Sequence, residues 1–200
     1  GPAAGKAYVM TGASMASPGT WSLSDAAYGF VGEAPGDWAG FGAGPAGDFD
    51  RDGLDDIMIG ARHSASSCCD YRGQVYIVLA RSLGEPSTRS LGSADYIIDG
   101  EEYADRFGSA MASAGDVDGD GKADILIGAY RNDEVGSDAG MTYLLLGSSF
   151  GDDSSISLSD ASYRISGAYG SDNSGYSVAG GGVIDGDGLS DVLIGAQTNP

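Results

Sequence analysis

Three acidic loops carry the densest chemistry in this chain. They read DFDRDGLDD at 48–56, DVDGDGKAD at 116–124 and VIDGDGLSD at 183–191. The pattern is D-x-D-x-D-G-x-x-D. Carboxylates at alternate positions of a tight loop can turn their oxygens to one centre, and the Gly lets the backbone bend sharply behind them. An all-oxygen set with no nearby His or Cys suits a hard cation that takes six to eight ligands, not zinc. Calcium fits better than magnesium, which keeps several of its waters. The second loop offers Asp116, Asp118, Asp120 and Asp124, with the backbone carbonyl of Lys122. The first offers Asp48, Asp50, Asp52 and Asp56, with the carbonyl of Leu54; Asp55 is an additional nearby charge. In the third, Val183 stands where the leading Asp should be, leaving Asp185, Asp187 and Asp191 with the carbonyl of Leu189. Two well-formed calcium sites are therefore expected, and a third that is weak or absent. An EF-hand opens the same way but needs flanking helices and a bidentate Glu at its twelfth position. Here those positions are Ile59 and Ile127, inside apolar runs. A solvated, metal-free Asx-rich turn is the plain alternative for any single copy. Two intact copies in one register argue against it.

The same loops account for much of the charge. The 200 residues carry a net −19, and 11 of the 29 acidic residues lie at the ligand positions just named, Asp55 not counted. Without a cation these carboxylates repel one another at short range. A polyanionic chain is a poor partner for nucleic acid or an anionic membrane surface. The longest uninterrupted apolar stretch, VYIVLA at 75–80, is far short of the roughly 20 residues a membrane helix needs, so no membrane insertion is expected. No signal peptide is visible, and Gly1-Pro2 resembles the scar of a cleaved tag, so a native N-terminus is expected to have been removed.

The elements that must position the loops repeat with them. The second Asp of the loop moves from 50 to 118 and then to 185, steps of 68 and 67. Phe41-Gly42 keeps the same register as Phe107-Gly108 and, more loosely, Tyr176-Ser177. Segments 28–32, 96–100 and 163–167 match one another, as do 6–10, 74–78 and 141–145. After each loop comes a short run closed by Gly-Ala: IMIGA, ILIGA and VLIGA. These runs are too short for helices, rich in β-branched residues and apolar without alternation, which predicts strands buried on both faces. Four strands per repeat, with 35 glycines to make turns, describe propeller blades. A β-solenoid or sandwich with decorative loops is the alternative.

The series FG…GDxDxDGxxDxxIGA resembles the FG-GAP repeat of integrin α-subunit β-propellers and related bacterial proteins. Residues 107–130, FGSAMASAGDVDGDGKADILIGAY, are its fullest copy; Arg62, Tyr130 and Gln197 replace the Pro of the GAP element. The resemblance implies an all-β fold of four-stranded antiparallel blades, calcium between the first two strands, and commonly seven blades in a ring. By that template, three repeats' worth of sequence lie in a permuted register. Residues 1–32 form a half-blade (strands 3 and 4), 33–100 and 101–167 two blades, and 168–200 a half-blade (strands 1 and 2). Three blades cannot close a ring of four to eight. The chain is thus expected to be part of a larger propeller, or to pair as a homodimer completing a six-bladed ring.

Catalytic chemistry is not evident. His63 is the sole His, and a solvated loop position is its plainer reading. No G-x-S-x-G elbow, P-loop or dinucleotide fingerprint occurs. Cys68 and Cys69 are the only cysteines and are adjacent. A vicinal disulfide there would be strained, since neighbouring α-carbons sit about 3.8 Å apart; free or intermolecularly bonded thiols are the alternative. Tyr28, Tyr96 and Tyr163 recur at the repeat period and are read as packing, whereas Tyr71, Tyr103, Tyr130 and Tyr169 fall in or beside connecting loops. The expected function is a non-enzymatic, calcium-stabilised binding or adhesion module, secreted or at the cell surface, with a protein or glycan ligand. Resemblance to integrins implies ligand contact near 33–40, 62–72, 101–106, 130–139 and 168–175. A lectin-like propeller and a non-catalytic part of a secreted hydrolase are the alternatives.

Overall fold

Short β-branched and aromatic runs between Gly-rich turns become strands in the computed structural model, which describes residues 3–63, 71–151 and 155–199. In chain order these are β1 (Lys6–Val9), β2 (Tyr28–Val31), β3 (Ala39–Gly47), β4 (Asp56–Ala61), β5 (Gln74–Val78), β6 (Thr88–Ser90) and β7 (Tyr96–Asp99). Then follow β8 (Ala110–Gly115), β9 (Asp124–Ala129), β10 (Met141–Leu145), β11 (Ser155–Ile156), β12 (Tyr163–Ser166), β13 (Ser174–Gly182) and β14 (Asp191–Ala196). Helical structure among the described residues is confined to single 3₁₀ turns, and no helix is long and apolar enough to cross a membrane.

Strands β3, β4, β5 and β7 form one antiparallel meander, and β8, β9, β10 and β12 form a second. The β1–β2 pair precedes them and the β13–β14 hairpin follows. This is the all-β, four-stranded blade architecture that the repeat period predicts. The absence of alternation in the apolar runs has its reason in the packing. Along β5, Val75 and Ile77 enter the core shared with the next blade, whereas Tyr76 and Val78 enter the core shared with the preceding strands. Along β9, Ile125 and Ile127 face back and Leu126 faces forward. Both faces of an inner strand are buried, so both sets of positions must be apolar.

The Gly of each Gly-Ala closure answers to a close approach. A Cβ on Gly60 would collide with the carbonyl oxygen of Gly108, and one on Gly128 with that of Gly175. Phe107-Gly108 and Ser174-Gly175 are thereby seated on the Gly-Ala of the repeat before. Gly40, Gly108 and Gly175 share a positive φ, so Ala39-Gly40 and not Phe41-Gly42 stands in the register of Phe107-Gly108. Farther out, Tyr28 donates its hydroxyl to the carbonyl of Gly84 at 3.1 Å and Tyr96 to that of Gly151 at 3.2 Å. The recurring tyrosines thus staple the outer edge of one blade to the connection of the next.

Two short strands add to the expected plan. β6 pairs in parallel with β2, and β11 with β7, so the outermost strand of each is covered by a segment from the following repeat. Covering an edge strand in this way removes an open template for aggregation. A Ser-Leu pair follows each lent segment. Ser90 and Ser157 cap 3₁₀ turns by accepting the N–H of Gly92 and Ser159. Leu91 and Leu158 are fully buried, whereas the corresponding Leu23 is 60 % exposed. The last hairpin shows the same contrast: Met58 and Leu126 are buried, and their counterpart Leu193 is 54 % exposed.

Burial at these equivalent positions sets a direct comparison. Leu91→Ala should cost about 2–5 kcal/mol through a lost side chain and a cavity. Leu23→Ala should stay within about 0.5 kcal/mol. Urea denaturation of this chain measures both, and equal losses would contradict the packing described.

Candidate metal centre and the opposite loop face

Each acidic loop joins the first two strands of a blade and is built from its own side chains. In the first, the N–H of Asp52 donates to Asp50 at 3.1 Å, that of Gly53 to Asp48 at 3.1 Å, and that of Leu54 to Asp52 at 2.8 Å. In the second, Asp120, Gly121 and Lys122 donate to Asp118, Asp116 and Asp120 at 3.1, 2.8 and 2.7 Å. Gly53 and Gly121 hold φ of +88° and +83°, where a side chain would be strained. These bonds fold the loop so that the first three carboxylates converge. One oxygen each of Asp48, Asp50 and Asp52 lies within 4.8 Å of the others, and the same holds for Asp116, Asp118 and Asp120.

The fourth carboxylate of each loop plays a second part. Asp56 is buried and accepts the N–H groups of Phe49 and Ala80 at 2.9 and 2.8 Å. Asp124 is equally buried and accepts those of Val117 and Gly147 at 2.7 and 2.8 Å. Each thereby ties the loop to the connection between strands three and four. A carboxylate oxygen has two lone pairs, so these bonds leave acceptor capacity facing the loop. Burial raises both acids above the ordinary carboxylate range; the backbone donors oppose this, and neighbouring Asp residues add to it.

The three converging carboxylates fit a hard cation. Asp48 Oδ1 is buried and has no hydrogen-bond partner. A buried anionic oxygen left unpaired is costly, and such a group points to an ion. The two sites differ in their flanks, which the sequence reading did not anticipate. Arg81 Nη1 lies 2.5 Å from Asp50 Oδ2 at the first. At the second, Arg51 Nε donates to the carbonyl of Gly121 at 3.1 Å and its Nη2 stands 3.7 Å from Asp120. The third loop keeps the scaffold: Asp187 and Leu189 donate to Asp185 and Asp187 at 3.0 and 2.8 Å, and Ile184 to Asp191 at 2.6 Å. Val183 offers no carboxylate, and no third converging group occurs among the described residues.

The opposite end of each blade is tied by acids that the sequence reading passed over. Asp37, Asp105 and Asp172 are buried and recur at steps of 68 and 67. Their carbonyls accept the N–H groups of His63, Arg131 and Thr198. Asn132 and Asn199 donate side-chain N–H groups to Asp105 and Asp172 at 2.6 and 2.8 Å. Each Asp thus binds an inter-blade loop to the connection between strands two and three. Around Asp105 a cleft of about 710 Å³ is lined by Glu101, Glu102, Asp133, Glu134 and Arg164. Arg164 bridges Glu101 and Glu134 at 2.6 and 3.0 Å. Burial first, then the nearby acids, raise Asp105 to about 6 against a hydrogen bond from Asn132.

His63 is not set up as a base. Its ring stacks on Trp38 with centroids 4.4 Å apart, and burial followed by Arg106 and Arg62 lowers its pKa to about 4. Cys68 and Cys69 lie outside the described residues.

A family model described as the FG-GAP repeat matches residues 107–145. Integrin alpha-5 of Xenopus laevis is 36 % identical over 177 residues, 84 % of this chain and 16 % of that protein. Integrin alpha-PS2 of Drosophila melanogaster is 30 % identical over 185 residues, 90 % of this chain and 13 % of that protein. Phosphatidylinositol-glycan-specific phospholipase D of Dictyostelium discoideum is 33 % identical over 156 residues, 76 % of this chain and 16 % of that protein. The chain therefore spans about one sixth or less of the length of these curated relatives.

Asp105 gives the opposite face a pH signature. Its folded pKa, about 6, exceeds the 3.8 of a free carboxylate, so the folded state holds a proton that the unfolded chain has lost. This contribution is present in full below about pH 4 and fades as pH rises through 6. In Asp105→Asn, the fall in stability between pH 4 and 6 should shrink, measured by thermal melts across that range. An unaltered slope would assign it to other groups.

Proposed function

Because this chain belongs to the FG-GAP repeat family, we propose that it is a calcium-stabilised binding module of the adhesion type. Cations hold the loops at one end of its blades, and ligand is taken at the other. The observation that carries this reading is the convergence of Asp48, Asp50 and Asp52, and of Asp116, Asp118 and Asp120, with Asp48 Oδ1 of the first loop buried and unpartnered. Asp56 and Asp124, with the carbonyls of Leu54 and Lys122, would complete two oxygen shells. Calcium would neutralise the clustered charge and hold strands one and two of each blade together. The integrin relatives support a binding role and a place outside the cell, secreted or at its surface. The loops opposite the cations, near 33–40, 62–72, 101–106, 130–139 and 168–175, are where a protein or glycan would dock.

The module itself is proposed to be non-catalytic. His63 is stacked and held neutral, and among the described residues none of the clustered carboxylates is paired with a nucleophile. The phospholipase D relative favours a second reading, a non-catalytic part of a larger hydrolase. Hydrolysis of a phosphatidylinositol-glycan by this chain would overturn both statements. The exposed Leu23 and Leu193 further support docking of additional blades on the two outer faces, from a second copy closing a six-bladed ring or from a longer propeller. A monomeric mass by light scattering with calcium present would remove the dimer.

Calcium should bind two sites strongly and a third weakly or not at all in calorimetry. At one hundred times its Kd, each occupied site adds about 2.7 kcal/mol to stability. Removal by EDTA should therefore lower Tm by about 5–10 °C per site. Asp116→Ala should abolish one strong site, and Val183→Asp should strengthen the third. An unchanged melt in EDTA would refute the structural role of the cation.

A further inference from the structure

The loop face opposite the acidic loops carries a continuous row of rings and guanidinium groups. The ring of Trp38 stacks on His63 at 4.4 Å, His63 meets Tyr71 edge-on at 4.7 Å, and Tyr71 lies 6.4 Å from Tyr103. Arg62 lies over Phe41 and Trp38, its guanidinium 3.6 and 5.0 Å from their centroids. Arg106 lies over Tyr71 at 5.0 Å. Apart from Phe41, which lies in β3, these residues come from the inter-blade and two-to-three connections of neighbouring blades, so the row forms only in the folded array.

Three features of the row ask for a ligand. Trp38, Phe41 and Tyr103 are 47, 47 and 64 % exposed, an unusual concentration of bare rings. In a chain of net charge −19, Arg62 and Arg106 nevertheless meet no carboxylate among the described residues; each is an electrostatic neighbour that lowers His63. Finally, Arg62 Nε and Arg106 Nη1 are buried and have no hydrogen-bond partner. An arginine whose flat face is occupied by an aromatic ring presents its N–H edge, the geometry that takes a carboxylate in two parallel bonds.

We propose that this row is a binding site for a carboxylate-bearing oligosaccharide, its acid group held at Arg62 and Arg106 and its sugar rings laid on Trp38 and Tyr71. Sugar rings are flat, polar at the rim and apolar on the face, so one ligand satisfies rings and cations together. An acidic peptide would pair the two arginines and leave the exposed ring faces bare. At Tyr103 the surface turns acidic, with Glu101, Glu102 and Asp105 lining the neighbouring cleft. Those acids repel a second carboxylate, so the uncharged end of the saccharide lies there. This assignment rests on the reading of the chain as a binding module and names the ligand class of its loop face.

The test uses the calcium-loaded chain on an array of uronic- and sialic-acid oligosaccharides, each printed beside its methyl ester, with a hexaaspartate peptide included. Acidic sugars should bind at least tenfold more tightly than their esters and than the peptide. Arg62→Gln and Arg106→Gln should each lower affinity tenfold or more, and the surface change Tyr103→Ala about threefold, with Tm preserved. Equal binding of esters, or insensitivity to both arginine variants, overturns the site. Binding of hexaaspartate alone overturns the saccharide and leaves the binding module standing. Silence of every probe, on a chain whose melt still depends on calcium, overturns both.

Discussion

Gly60 and Gly128 stand where the first strand of the next blade passes against them, and neither position has room for a methyl group. Interiors are close-packed and give little, so a side chain there would push two blades apart along their whole shared face. The cores lie between blades rather than within them. Phe107, Ile125 and Tyr143 of one blade pack with Met58, Val75 and Ile77 of the blade before it. Separation at one glycine would loosen all of these contacts, so the backbone approach fixes the spacing on which burial depends.

That spacing leaves the two ends of each blade to be secured separately, and both are secured by acids. At one end the carboxylates converge in a set that fits a hard cation. At the other, buried Asp105 and Asp172 accept the amide side chains of Asn132 and Asn199. The first arrangement suits a hard cation, and in the second, burial raises Asp105. One fold thus keeps its cation loops chemically apart from its loop face, although the same residue type serves both.

How much of this was legible in the sequence depends on how local the signal is. The acidic loops, the Gly-Ala closures and the strands between them are short-range patterns, and the blades follow from their period. The strands β6 and β11 were not legible, because two or three residues in parallel pairing carry no period of their own. Their one signal, a Ser-Leu pair recurring at 22, 90 and 157, makes sense only once Leu91 and Leu158 are seen buried. Asp37, Asp105 and Asp172 did recur at the repeat step, yet solvated loop acids look identical until burial distinguishes them. The bridge from Arg81 to Asp50 and the row from Phe41 to Tyr103 join residues of different loops and blades, which no local pattern reports.

The parallel strands lent to the preceding blade also give the array a direction in time. Gly29 of β2 pairs with Thr88, and Ile97 of β7 with Ser155, each partner belonging to the repeat synthesised later. A ribosome adds about 5–20 residues per second, so the outer edge of each blade stays open for several seconds after its own strands have emerged. During that interval the growing chain exposes one unpaired edge, always at its newest blade. Elongation itself then acts as the chaperone, each new repeat sealing the one before it.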